Sequence, residues 1–179
     1  MEEIFLTKER IKILKAIIFK ESAVSVNAIA NHLEISKGLV SKYLNILTKR
    51  GIAKIVNGKF TITNSAFVKG IKILLNLDSI KTSIFKKYAF VKSAGLYGSC
   101  ARGGNNEESD VDLWVRVSGV TEDKMASLSS MLSKKIKSVK VLFLTDEKIE
   151  KLKKEDALFY YSLAFGSIII YGDKQDVQL

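Results

Sequence analysis

The chain has 179 residues, 47% of them hydrophobic, enough for one large domain or two small ones with packed cores. No apolar run reaches 18 residues, the opening MEEIFLTKER has no apolar leader segment, and the single cysteine, Cys100, permits neither an internal disulfide nor a cysteine-based zinc site, so a reducing, cytoplasmic setting without membrane spans is expected. The formal net charge of +10 is unevenly spread: residues 1–90 carry 16 basic and 6 acidic side chains, whereas residues 91–179 carry 13 of each.

The whole positive excess therefore lies in the first half. A solvated basic face would account for the charge, but its segregation favours a polyanion as partner of the N-terminal half. Within that half, residues 8–20 (KERIKILKAIIFK) place Ile11, Leu14, Ile17 and Ile18 at helical spacing. Ser25 is positioned to cap a second helix, VNAIANHLEI, with Ala28, Ile29 and Leu33 facing inward. Ser36 is positioned to cap a third, KGLVSKYLNILTKR, with Leu39, Val40, Tyr43, Leu44 and Leu47 apolar and Gly51 as its stop. Two short apolar runs flank Asn57-Gly58, a strong hairpin signal because both central turn positions need positive φ.

Three helices followed by a hairpin, over about residues 5–64, resemble the winged helix-turn-helix family of DNA-binding domains. The resemblance implies that the third helix enters the major groove, with Lys37, Ser41, Lys42 and Asn45 on its polar side and Lys49 and Arg50 at its end. Lys54, Asn57 and Lys59 would be wing contacts to phosphate or the minor groove. Winged helices also serve as protein–protein modules, and they often dimerise, so a homodimer is compatible with this half. His32 has no second histidine to share a metal with and reads as a surface or boundary residue.

Residues 65–88 read as one or two linking helices, and a strand is expected near 90–97. The stretch 95–115, GLYGSCARGGNNEESDVDLWV, carries the chemistry. If 110–117 is a strand, Asp110 and Asp112 share one face, with Cα atoms about 6.5–7 Å apart, while Val111, Leu113 and Val115 face the other way. Two neighbouring carboxylates repel unless a proton or cation sits between them, and Mg²⁺ suits one or two carboxylates plus phosphate oxygens. Gly98 allows backbone N–H groups to approach a phosphate, the Ser99 hydroxyl can donate to it, and Arg102 lies one turn later if SCARG is helical.

The spacing G-S-x10-D-x-D, here Gly98-Ser99 through Asp110-Val111-Asp112, resembles the signature of the polymerase-β-like nucleotidyltransferases, and in particular their minimal members, some of which act as antitoxins beside an RNA-cleaving partner. The resemblance covers about residues 90–172. It implies an α/β (α+β) fold, a mixed sheet flanked by helices, and metal-dependent transfer of a nucleoside monophosphate from an NTP to an acceptor hydroxyl. The acceptor class would be a protein, such as a toxin-like partner, or an RNA. By position, Gly98, Ser99 and Arg102 would bind the nucleotide, and Asp110 and Asp112 would be catalytic and hold Mg²⁺ or Mn²⁺. The resulting organisation is a winged helix over 1–64, a helical linker over 65–89, a nucleotidyltransferase-like domain over 90–172 and a polar tail over 173–179.

One feature departs from the family pattern. A third carboxylate is expected on a later strand, which here is 138–144, SVKVLFL, and its interior offers Lys140 but no acid. Asp146 follows the strand and either reaches the metal or opens a helix capped by Thr145. A DNA-binding regulator whose nucleotidyltransferase-like domain is weak or inactive, serving nucleotide sensing or partner binding, is the alternative reading. A P-loop is a poor match, since Gly104 and Asn105 stand where Lys and Ser/Thr are required. Cys100 has no histidine nearby and reads as packing, and Trp114 either packs in the core or lines a base pocket. The remaining segments read as helix 122–136, strand 138–144, helix 146–164 and strand 167–171.

Overall fold

The computed structural model describes residues 2–172, so the polar tail expected over 173–179 lies outside the described residues. The chain divides into two compact units: the described residues up to Lys72 together with Asn105–Glu107, and Ile73–Gly104 together with the described residues from Glu108 onward. Among the described residues no helix is long and apolar enough to cross a membrane.

The first unit opens with a short helix, α1 (Glu2–Phe5), followed by α2 (Lys8–Ile17), α3 (Val26–Leu33) and α4 (Lys37–Lys49). Three hydroxyl side chains start these helices by accepting an orphan backbone N–H. Thr7 accepts from Arg10 at 3.3 Å, Ser25 from Ala28 at 3.2 Å and Ser36 from Leu39 at 3.4 Å, each cap contributing about 1 kcal/mol. The apolar faces meet in one core of Ile13, Leu14, Ile17, Ile18, Ile29, Ala30, Val40, Tyr43, Leu44 and Leu47. Ala28, expected to face inward, is exposed, and Ala30 takes its place. In a helix of eight residues, with small alanines on both sides of Ile29, the sequence pattern does not separate these two positions. Tyr43 is fully buried and its hydroxyl donates to the Ile4 carbonyl at 2.8 Å, which ties α1 to α4.

Gly51, at φ +69°, ends α4, and the hairpin β1 (Ala53–Val56) and β2 (Lys59–Ile62) follows with Val56 opposite Lys59. Asn57 and Gly58 take φ +51° and +72°, the left-handed pair that a two-residue turn between twisted strands requires. Val24 and Phe60 exchange two backbone hydrogen bonds of 2.8 Å, adding a bridge on the far side of the hairpin that the sequence reading missed.

In the rest of the chain, α5 (Ala66–Ser79) and a 3-10 turn over Thr82–Lys87 lead to β3 (Val91–Tyr97). There follow α6 (Gly98–Arg102), β4 (Val111–Val117), α7 (Glu122–Lys135), β5 (Val139–Leu144), α8 (Asp146–Glu155), α9 (Ala157–Gly166) and β6 (Ile168–Tyr171). The sheet order is β5-β4-β3-β6, with β4 and β5 parallel and the other two pairings antiparallel. This is the expected mixed sheet flanked by helices. One hydrophobic cluster gathers Leu113, Val115 and Val117 with Leu128 and Leu132 of α7, and Ile80 and Phe85 pack into it. A second gathers Trp114 with Ile149, Tyr160 and Leu163 of α8 and α9. The central strand β4 is thus covered on both faces.

The single helix expected over 146–164 is two helices. Asp156 breaks it at φ −143°, its carboxylate accepting from Phe159 N–H at 3.1 Å to cap α9 while its own N–H closes α8 on the Leu152 carbonyl.

Candidate functional site

The candidate site forms where β3 ends and β4 begins. Antiparallel pairing sets Tyr97, the last residue of β3, opposite Asp112. The chain then turns through Gly98 at φ +69° into the five-residue helix α6, so the predicted helical SCARG is present. A Cβ at Gly98 would overlap the carboxylate of Asp112, a direct measure of how closely that carboxylate approaches the turn. Gly98 and Asp112, 14 residues apart in sequence, are therefore side by side.

Asp110 is held by its backbone. The buried Cys100 thiol donates to the Asp110 carbonyl at 3.3 Å, and the next residue, Val111, donates to the Ser138 carbonyl at 3.0 Å. The α6 end of this brace is fixed in turn by Asn76, whose side-chain amide donates to the Cys100 carbonyl at 2.9 Å. Burial and the nearby Asp112 charge raise the Cys100 thiol above its ordinary pKa, which keeps it a thiol and fits the packing role expected for it.

Electrostatically the two aspartates are crowded. Partial burial pushes the Asp112 carboxyl above the usual carboxylate range, Asp110 adds to the push, and Lys140 and Arg102 oppose it. Burial also raises Tyr97, and the Asp112 charge raises it further. Arg102 is exposed on α6, with its charge felt at Asp112. The turn and the carboxylate pair are thus adjacent, with one guanidinium in electrostatic range.

The parallel register of β4 and β5 brings in Lys140, which pairs directly with Asp112 across the two strands. Its ammonium reaches the neighbouring carboxylate, with Nζ 2.5 Å from Asp110 Oδ2. The Asp110 carboxylate holds the ammonium above its ordinary lysine pKa. A cationic side chain therefore stands at the sheet position facing the aspartate pair. Among the described residues no group of three His, Cys, Asp or Glu side chains gathers to hold a metal ion. The oxygen donors that could hold a hard divalent cation are Asp110 and Asp112.

Two alternatives that the sequence left open are decided by the structure. Asp146 does not reach the pair: it bonds Arg116 at 3.1 Å, and Arg116 lies four residues along β4 from Asp112, roughly 13 Å at the rise of a strand. Thr145 caps α8 by accepting from Lys148 N–H at 3.2 Å, so Asp146 is the start of a helix. Trp114 lines no base pocket. It is fully buried, its Nε1–H donates to Ser167 at 2.9 Å, and its ring lies where a Cβ on Gly95 would stand.

In the N-terminal unit, Lys37, Lys42, Asn45 and Lys49 are exposed along α4 and Ser41 is half-buried. Lys54, Asn57 and Lys59 are exposed on the hairpin. Among the described residues these five lysines carry no ion pair, whereas Arg50 is engaged by Glu3 of α1 at 2.6 Å.

Comparison with known proteins follows the same division. Residues 7–54 match the model of the bacterial regulatory protein arsR family, which covers α2 through the start of the hairpin. Solved structures similar to the chain include a mutant of the toxin-antitoxin MntA-HpeT, at 14% identity and TM-score 0.41, covering 52% of this chain and 72% of that one. Another is the tri-AMPylated Shewanella oneidensis HEPN toxin in complex with MNT antitoxin, at 15% identity and TM-score 0.39, covering 58% and 76%. A third is a Sulfolobus solfataricus protein classed with the nucleotidyltransferases, at 18% identity and TM-score 0.40, covering 63% and 92%. No curated protein matches the chain. The model "Polymerase beta, Nucleotidyltransferase" matches residues 80–176, the span that contains the Gly-Ser turn, both aspartates and the whole mixed sheet. With more than half of its length in that match, the chain belongs to the polymerase beta nucleotidyltransferase family.

Proposed function

We propose that the C-terminal unit binds an NTP with a divalent cation and transfers its NMP to a hydroxyl on a protein or RNA acceptor, while the winged helix binds DNA. The observation that carries this reading is the fit of Gly98 against Asp112: with no Cβ, the turn lets the carboxylate lie directly against it, so the Gly-Ser turn and an oxygen-donor pair border the same place. The donor set fits Mg²⁺ or Mn²⁺, which prefer carboxylate and phosphate oxygen. Asp110 and Asp112 would hold the cation, which when bound neutralises phosphate charge and polarises the phosphorus under attack.

The chain's own groups do the rest. The Ser99 hydroxyl and the backbone of the turn hold the terminal phosphates, and Arg102 adds a charged contact to the triphosphate. Holding both ends of the triphosphate directs the acceptor oxygen to the α-phosphorus, so that its bond forms as pyrophosphate departs. In the N-terminal unit, Lys37, Lys42, Lys49, Lys54 and Lys59 neutralise DNA phosphates, and Ser41 and Asn45 lie on the α4 side that faces base edges. A toxin-like protein is the acceptor to try first, on the family resemblance of the GSCARGGN to DVDLWV segment.

A second reading has an observation in its favour. Lys140 holds Asp110 where the family pattern calls for another acid, which favours a DNA-binding regulator that senses nucleotide and transfers little or nothing. Incubation of the full chain with labelled NTPs, Mg²⁺ and cell lysate separates the two. Label transfer that is lost in Asp110→Asn and Asp112→Asn supports the transferase. Nucleotide binding without transfer of any NTP assigns the chain to the regulator.

A further inference from the structure

Lys140 is the group at the site to which neither reading gives a role in binding metal or nucleotide. Three observations bear on its role. It is the register partner of Asp112 on the adjacent parallel strand, so the backbone fixes its position opposite the pair. Its Nζ bonds Asp110 Oδ2, so its charge is delivered to the carboxylate pair rather than to solvent alone. Among the described residues no third acid joins the pair, so the local formal charge of the two carboxylates and the ammonium is minus one.

We propose that Lys140 is a tethered cation that limits the site to one divalent ion per nucleotide. This inference rests on the NTP-binding reading of the Gly98-Ser99 turn and the aspartate pair. The reasoning is electrostatic. A hard divalent ion shared between two carboxylates and a triphosphate satisfies both acids. A second divalent ion would have to share Asp110 with an ammonium already bonded to it, and to sit beside that positive charge. With one divalent ion, the two carboxylates and the ammonium present a formal charge of plus one to the triphosphate. Three carboxylates with two divalent ions would present that same charge. The ammonium thus replaces the combination of a further acid and a further metal ion. Lys140 is largely exposed on a flexible stem and its ammonium has three donors, so it can stay on Asp110 while also donating to a phosphate oxygen. It acts as a positioning residue for triphosphate and metal.

Equilibrium dialysis of the full-length chain against Mn²⁺ and a non-hydrolysable ATP analogue, corrected by the protein-free chamber, counts both ligands. The expected ratio is one Mn²⁺ and one nucleotide per chain. Lys140→Asp, which restores a third acid at an exposed position, is expected to bind two Mn²⁺ per nucleotide. Lys140→Met is expected to admit a second Mn²⁺ per nucleotide at saturating metal, and to bind Mn²⁺ without nucleotide roughly tenfold more tightly, because the competitor for Asp110 is gone. Two Mn²⁺ per nucleotide in the wild-type chain, or one in Lys140→Asp shown by circular dichroism to be folded, overturns the role of Lys140 while leaving the NTP site standing. No nucleotide or Mn²⁺ bound by the wild-type chain overturns the NTP site itself, and the inference with it.

Discussion

The lysines of the two units are used in opposite ways. On α4 and the hairpin, Lys37, Lys42, Lys49, Lys54 and Lys59 stand exposed, with no ion pair among the described residues. On β5, Lys140 is bonded to Asp110 and aligned with Asp112. The first set is a charge field whose value lies in its sum, and the second is one charge whose value lies in its position. On the proposed reading, the same residue type serves affinity in one unit and stoichiometry in the other. A net charge of +10 reveals only the first.

The largest effect that would break this contrast concerns the acids. Asp112→Asn is expected to weaken Mn²⁺-dependent nucleotide binding by about 100-fold or more, since a lost ligand of a two-carboxylate site leaves one charged donor. Calorimetric titration with a non-hydrolysable ATP analogue, with and without Mn²⁺, checks it, and equal affinity in variant and wild type would remove the acids from the site. Gly98→Ala comes next. Its Cβ would overlap the Asp112 carboxylate in a left-handed backbone conformation, so nucleotide affinity should fall by roughly tenfold to 100-fold, with about 1–2 kcal/mol lost in thermal stability.

How far these residues were legible differs between the units for a physical reason. Helix caps at Ser25, Ser36 and Thr145 and the Asn57-Gly58 turn are local devices, and each appears in the structure where its residue type demanded. That the Gly-Ser turn meets the aspartate pair was readable, because one loop joins β3 to its antiparallel neighbour β4, but that Gly98 lies against Asp112 in particular follows from the register, Tyr97 opposite Asp112. Lys140 was visible as a lysine in a strand, but its bond to Asp110 depends on the register of β4 with β5, which are joined through all of α7. Length hid α1, since four residues carry no period. The break at Asp156 has neither glycine nor proline to announce it. Nor does α9 show a one-sided pattern, because Leu158, Tyr161 and Phe165 are exposed while Tyr160 and Leu163 are buried.

Smaller effects sharpen the comparison. If the α4 and wing lysines act as a sum, replacing any one of Lys37, Lys42, Lys54 or Lys59 by Ala should weaken DNA binding uniformly across sequences. Each should reduce the slope of log affinity against log salt by about 0.9 in a gel-shift series. A wild-type chain that binds no DNA at low salt would contradict the assignment of this unit.

The smallest expected effect is on stability at the acid pair. Because burial raises the folded-state pKa of Asp112, its contribution is most favourable below the unfolded value and is lost as pH rises toward the folded one. Neutral Asp112→Asn should therefore be more stable than wild type at pH 7, by under about 1 kcal/mol after solvent screening, with the gain shrinking as pH falls through the carboxylate range. Thermal melts of the ligand-free proteins across pH read this directly, and a loss of stability at pH 7 would show that the charge of Asp112 is needed by the fold.

The most direct test of the central claim is a crystal of the full chain soaked with ATP and Mn²⁺. The account predicts one anomalous manganese peak touching Asp110 and Asp112, with the triphosphate lying over Gly98 and Ser99. Nucleotide bound elsewhere, or a manganese-free site with Lys140 still on Asp110 at saturating ATP, would contradict it.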